Sequence, residues 1–351
     1  MADDSRVLKG YLSVFSGDLG RLLVFAVFIP LLVRVIGEGQ YGYYALVMAT
    51  FLPLRKLFNM GLFEASKTYL TRAEGDVETT LTTSSLLLHT AALVVGVPAL
   101  VLVILALPLE PVLQTSYLVI IPALVGEQLY NFGRGVLHSR GRESLVEPLI
   151  PLRSVILAAV GLWLAHQGYG VPGVFAGFAA GFMIAGVGAM VLAVREVGVP
   201  VRALSTVDRK SLQTLIRFGV PSMAMGIAII GLYKTDVLLV GYFLSSTQTG
   251  YYRAALQVSE FIWVVAVAME MMMIQTTTGL WSDGEHDKIT ELLGRMIKYV
   301  VLLTTLLVIG VFVLNDEFLR TYFGAGFIAS KQPLKILLPG VLFFSVARVI
   351  W

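Results

Sequence analysis

Residues 81–107, LTTSSLLLHTAALVVGVPALVLVILAL, contain neither an acidic residue nor Lys or Arg. The stretch is long enough for one bilayer crossing, which takes about 20 predominantly apolar residues as a helix. Nine further apolar runs, bounded by charges or turn residues, surround it at 11–36, 41–63, 112–132, 145–165, 171–194, 215–244, 251–279, 296–314 and 334–351. In lipid every backbone polar group must be satisfied within the segment, so each run reads as a helix; the alternating strands of a membrane barrel are not seen. The expected fold class is all-α, a polytopic transmembrane helical bundle of about ten spans.

Composition agrees. Of the residues 57% are hydrophobic and 14% charged, with a mean hydropathy of +0.81, whereas soluble domains carry roughly 25% charged residues. So few charges cannot cover a water-exposed shell. The absence of cysteine excludes disulfides, thiolate metal sites and cysteine nucleophiles. A sequence pI near 9.0 raises nucleic acid as a partner, but the basic residues sit mostly at the ends of apolar runs, where membrane topology explains them, so no nucleic acid is expected. The polar start at residues 1–9 and the long first apolar run, which lacks a small-residue cleavage site, argue against a signal peptide.

Orientation follows from Lys and Arg. Arg6 and Lys9, then Arg55, Lys56, Lys67 and Arg72, then Arg134, Arg140, Arg142 and Arg153 fall at alternate span ends. So do Arg195, Arg202, Arg209, Lys210 and Arg217, and then Lys288, Arg295 and Lys298. The turns around Glu110 and His166 carry no Lys or Arg, and residues 245–250 carry no charge. Positive charge stays on the cytoplasmic side, which places the N-terminus in the cytoplasm and the chain as a multi-pass protein of the cytoplasmic (plasma or inner) membrane. Arg34, Arg320, Lys331 and Lys335 run against the pattern. The longest polar stretch, near 195–217, reads as a cytoplasmic linker (197–213) between an N-terminal six-helix bundle (1–196) and a C-terminal bundle of about four helices (214–351).

Those two bundles share a signature. Gln40-Tyr41-Gly42-Tyr43-Tyr44-Ala45 follows the first span, and Gln248-Thr249-Gly250-Tyr251-Tyr252-Arg253-Ala254 follows the seventh. Glycine suits a tight outer turn and tyrosine the lipid–water interface. Two coincident aromatic belts would give the same residues; the matched position, entering the second helix of each half, favours a repeat. An even number of spans separates the motifs, so the halves share an orientation and are related by an axis along the membrane normal, as in alternating-access transporters.

Residues 35–44 (VIGEGQYGYY) and 61–66 (GLFEAS) resemble the opening of the polysaccharide flippases of the multidrug/oligosaccharidyl-lipid/polysaccharide exporter superfamily. Phe218-Gly219-Val220-Pro221, then Lys234-Thr235-Asp236 and Gly250-Tyr251-Tyr252, are similar to the start of that family's second half. The resemblance implies a flippase that moves a lipid-linked oligosaccharide, with a sugar and diphosphate head and a polyprenyl tail, across the membrane for cell-surface polysaccharide assembly. Membrane lipid and the polyprenyl-diphosphate oligosaccharide are then its partners, together with a coupling ion, H+ or Na+, if it uses one. Such proteins have about twelve to fourteen spans, six or more per half. The second half is therefore expected to be incomplete here, as in a fragment or a shortened member.

Ionisable groups inside spans cost roughly 2.5–3.5 kcal/mol each on insertion scales, so they are candidate sites. Asp18 and Arg21 share a face of the first span, either as a salt bridge near its end or with Arg21 holding a phosphate in its fork. Glu127, Asn131 and Arg134 form a polar stripe at i, i+4 and i+7 on the fourth span, although Arg134 can also snorkel to the interface. Arg253, Gln257 and Glu260 repeat that spacing on the eighth span, with Glu260 the stronger candidate for a buried coupling or substrate contact. Lys234 and Asp236 point to different sides of the seventh span; they either pair with other helices or present Lys234 to an anionic head group. Pro221, after Gly219, is expected to kink that helix or loosen its start. The methionines at 269 and 271–273 read as packing or lipid-facing material. The four histidines have no ligand spacing, and no nucleotide motif appears, so no cofactor is expected and direct ATP hydrolysis is disfavoured.

A transporter is expected, not an enzyme. Two alternatives stand beside the flippase: a multidrug or organic-cation antiporter of the same superfamily, whose cavity should be dominated by acids, and a membrane glycosyltransferase or polysaccharide polymerase. The latter should carry a long polar loop or a soluble domain with paired carboxylates, and the sequence shows neither. A scaffold without transport activity is a further possibility.

Overall fold

The computed structural model describes residues 2–197, 207–282 and 284–350, with side chains described throughout except at 2–15, 18, 197, 275 and 278. Arg6, Lys9 and Asp18 as side chains, and Arg202 with most of the expected linker, therefore lie outside the described residues. Among the described residues there is no strand. The elements are α1 (Ala2–Asn59), α2 (Leu62–Leu70), α3 (Gly75–Ala106), α4 (Pro111–Ser139), α5 (Glu143–Val146), α6 (Leu149–Leu164), α7 (Gly170–Val197), α8 (Arg209–Phe243), α9 (Ser246–Ser282), α10 (His286–Val313), α11 (Asn315–Tyr322) and α12 (Lys331–Ile350).

Among the described residues eight helical segments are long and apolar enough to cross a membrane. Two of them are double. Unbroken, α1 would run roughly 90 Å, about three times the hydrocarbon thickness of a bilayer. It breaks at Gly37 (φ 73, ψ 176), a backbone state that glycine alone adopts without strain. The two arms then lie together, since Arg21 and Arg55, on opposite sides of the break, line one cavity. In the same way α6 turns through a π-helical segment, Ala165–Tyr169, into α7, with positive φ at Gly168 and Gly170. Counting each arm gives about ten spans, as the apolar runs require. Helix α8 continues through Pro221, which lies inside it.

The chain divides into two compact units. The first comprises Met1–Ile36 with Tyr43–Leu239, and the second Gly37–Gly42 with Val240–Trp351. In the first unit α4 lies along α7, and α7 along α6, over small residues. A Cβ on Gly126 would strike the backbone of Phe182, one on Gly133 that of Ala189, and one on Gly177 that of Gly161. Lipid gives helices no hydrophobic drive to associate, so close backbone approach of this kind supplies the packing energy. On another face of α7, Phe175, Phe178 and Phe182 meet Tyr44 and Phe51 of α1 in a run of ring contacts. The outward faces remain apolar: Val94, Val95 and Leu102 on α3 are each about two-thirds exposed, the surface expected of a helix solvated by lipid.

In the second unit α9, α10 and α12 pack on one another. Here the two motif glycines meet. A Cβ on Gly42 would run into the carbonyl of Ser246, and one on Gly250 into the carbonyl of Glu38. Each glycine thus lies against the carbonyl four residues before the other, the reciprocity that a two-fold relation produces.

Candidate functional site

A polar cavity of about 320 Å³ opens within the first unit. Arg21 reaches it from the first arm of α1, and Leu52, Arg55, Lys56 and Asn59 from the second. After Asn59 the helix is interrupted at Met60 (φ 51) and Gly61 (φ 68), left-handed geometry that is uncommon for a side-chain-bearing residue. Beyond the interruption α2 places Phe63 and Glu64 at the cavity, where Lys56 Nζ donates to Glu64 Oε1 at 3.0 Å. Helix α4 contributes Glu127, Tyr130, Asn131 and Arg134; α6 contributes Ile150 and Arg153, and α8 Ile230.

Glu127 organises the lining. It is buried, and each of its oxygens accepts from a different helix: Oε1 from Arg55, and Oε2 from Arg153 Nη1 at 2.9 Å. Two guanidiniums on one carboxylate make up for removing it from solvent, which an unpaired acid could not do. Aromatic faces support both cations. The Arg153 guanidinium carbon lies 4.4 Å from the ring centre of Phe182 and 5.1 Å from that of Tyr130, and that of Arg55 lies 5.5 Å from Phe182. Arg134 Nε donates to Glu147 Oε1 at 2.7 Å, and His138 Nε2 lies 2.6 Å from the same oxygen. Gln128, fully buried, ties the seam between α1 and α4 by donating to the Arg55 carbonyl at 3.3 Å.

Five basic side chains, Arg21, Arg55, Lys56, Arg134 and Arg153, thus face two acids, Glu64 and Glu127. Adding Glu147 behind Arg134 leaves the balance positive. The Arg55 Nε and the Tyr130 hydroxyl are buried without a hydrogen-bond partner. The arrangement suits an anion with several oxygens, because guanidinium forks fixed by carboxylates and rings present donors at little entropic cost.

Of the residues singled out from sequence, Arg21, Glu127, Asn131 and Arg134 line this one cavity. Lys234 and Asp236 do not line it; both are half-buried on α8, one turn and more beyond Ile230, and Asp236 Oδ1 accepts from the Val237 amide at 2.8 Å. Arg253, Gln257 and Glu260 form a separate cluster in the second unit. There Arg253 Nη1 lies 3.2 Å from both Glu260 oxygens, and the Tyr41 hydroxyl donates to Gln257 Oε1 at 2.9 Å. Sequence reasoning missed Arg55, Lys56 and Arg153 as cavity residues because it assigned them to the cytoplasmic ends of spans. The signal for them was Glu127, an acid deep in an apolar span that needs cations from neighbouring helices.

A family model described as polysaccharide biosynthesis protein matches residues 7–276. No curated protein matches the chain. Among solved structures, the lipid II flippase MurJ in an inward closed conformation superposes with a TM-score of 0.72 at 12% identity, over 98% of this chain and 74% of that one. An inward-facing multidrug resistance MATE family transporter of the MOP superfamily gives 0.64 at 14% identity, over 94% and 81%. Its outward-facing counterpart gives 0.61 at 16%, over 98% and 82%. At these identities the likeness is one of fold. The family match covers most of the chain, from α1 into α9 and including every cavity-lining residue, and on that ground the chain belongs to the polysaccharide biosynthesis protein family.

Proposed function

We propose that this protein is a flippase that carries a lipid-linked oligosaccharide across the cytoplasmic membrane by alternating access, as a transporter and not an enzyme. The observation that carries the reading is the excess of basic side chains in a cavity lined by helices long and apolar enough to cross a membrane. A diphosphate bears negative charge on each phosphate and offers several acceptor oxygens, which Arg21 and the fixed guanidiniums of Arg55, Arg134 and Arg153 match. At about 320 Å³ the cavity is near the lower end of ligand-pocket sizes, about 300–1,000 Å³. It therefore takes the diphosphate and the sugar next to it, with the rest of the oligosaccharide outside. The family supports a polysaccharide precursor as cargo; the halves are taken as 1–196 and 214–351 joined by a cytoplasmic linker, and the reciprocal packing of Gly42 and Gly250 is in keeping with a repeat. An organic-cation antiporter fits less well, since a cation would meet net positive charge.

The test is to reconstitute the full-length protein in vesicles and follow head-group translocation of a polyprenyl-diphosphate oligosaccharide. Protein-dependent movement is expected; absence of movement alongside efflux of an organic cation would defeat the reading in favour of the antiporter. A tag at Ser205 should be reached only from the cytoplasmic side, and labelling from outside would reverse the assigned orientation.

A further inference from the structure

A second cavity, about 360 Å³, lies in the same unit between α1, α3, α4 and α8. Its walls are apolar, and its two side-chain hydroxyls, Thr50 and Tyr117, are bonded to each other at 3.0 Å. Two features relate it to the polar cavity. First, one face of α4 serves both: Tyr117, Ile120 and Leu124 line the apolar chamber, and Glu127, Asn131 and Arg134 continue the same i, i+3/i+4 row into the polar one. One helical turn, about 5 Å, separates Leu124 from Glu127. Second, α1 and α8 border both spaces, α8 with Ile230 on the polar side and Leu238 on the apolar side. The chamber also reaches the lipid-facing surface, where its lining residues Val103 and Leu107 are about half exposed.

A charged space and an oily one, stacked along one helix face with the oily one open to the bilayer, match an amphiphile bound lengthwise. We infer that the chamber between α1, α3 and α4 receives the first isoprene units of the lipid whose diphosphate head occupies the polar cavity. The tail is thus held by protein next to the head group and leaves past Val103 and Leu107 into the membrane. This rests on the flippase reading and adds a tail subsite to it. Burying hydrocarbon in the chamber favours an isoprenyl diphosphate over a bare diphosphate, and binding then depends on the first few isoprene units and levels off once the chamber is full.

The inference is tested on the full chain in detergent by measuring binding of inorganic diphosphate and of farnesyl diphosphate to wild type, Ile104→Trp and Val103→Trp. The second variant alters a half-exposed position at the mouth, so that misfolding of the buried variant leaves the test intact. Wild type should bind farnesyl diphosphate at least about tenfold more tightly than inorganic diphosphate. Filling the chamber should remove most of that excess while leaving inorganic diphosphate binding unchanged. Inorganic diphosphate binding with no excess for the farnesyl compound, or an excess that both variants retain, overturns the tail subsite and leaves the flippase reading standing. Failure of both compounds to bind overturns both. A diazirine placed on the first isoprene unit of the lipid should label residues 100–107 of α3; labelling there by a phospholipid diazirine that excess farnesyl diphosphate does not displace would make the chamber a site for bilayer acyl chains and sink the inference.

Discussion

Two polar stripes of the same spacing have different fates. On α4, Glu127, Asn131 and Arg134 face a cavity, and the acid is held by arginines from α1 and α6 while Arg134 is held by Glu147. On α9, Arg253 and Glu260 close on each other along their own helix, and Gln257 accepts from Tyr41. The spacing i, i+4, i+7 says only that three residues share a face. What decides between a site and a self-satisfied strap is whether neighbouring helices bring further charges of one sign. Around α4 they bring four more cations against one further acid, Glu64; on α9 Arg253 and Glu260 pair along the stripe itself.

The largest expected effect comes from breaking the α4 network. Glu127→Ala leaves Arg55 and Arg153 in a largely buried setting without their shared counter-ion, a loss that typically costs about 3–5 kcal/mol. Thermal unfolding of the purified protein should show a large fall in midpoint. A midpoint within a degree of wild type would mean that water, and not Glu127, balances these arginines.

Packing gives the next contrast. Gly186 of α7 lies against the backbone of Gly126, whereas nothing comes within 4 Å of a Cβ placed on Gly310 of α10. Gly186→Ala must push α7 from α4 and should cost about 1–3 kcal/mol. Gly310→Ala relieves backbone entropy in a helix and should be neutral or stabilising by about 0.5–1 kcal/mol. Equal midpoint shifts in the two variants would refute the close approach of α4 and α7.

Much of this was legible in the sequence, for a physical reason: the bilayer imposes a length and a polarity on each span, so hydropathy alone places about ten helices. The row on α4 was legible because charges are rare there. Arg55, Lys56 and Arg153 were not, because a basic residue at a span end satisfies the topology rule whether or not it also turns inward, and only the fold of α1 on itself and the approach of α6 decide that. The two arms of α1 were legible as the apolar runs 11–36 and 41–63; that the break falls at Gly37, by its positive φ, was not.

On the transport side, Arg21→Ala removes a cation from the cavity lining without taking a partner from Glu127. Under the proposed flippase function, head-group translocation should fall about tenfold, or about 1.4 kcal/mol, with membrane insertion unchanged. Lys234→Ala, outside the lining, should reduce it less. A greater loss at Lys234 would move the head-group site towards the far end of α8 and away from the α4 stripe.

The smallest effect belongs to the α9 stripe and sharpens the comparison most directly. Glu260→Gln keeps the shape of the side chain and removes its charge, leaving Arg253 beside a neutral amide. Both side chains are about a quarter exposed, so water screens the pair and its loss should cost about 0–1 kcal/mol. The variant should therefore unfold within a few degrees of wild type and flip substrate at a similar rate. If translocation instead fell as far as in Arg21→Ala while the midpoint held, Glu260 would be acting on cargo or on a coupling ion and not merely on Arg253. The two stripes would then be two sites, and the positive excess on α4 would describe only the one proposed to meet a diphosphate.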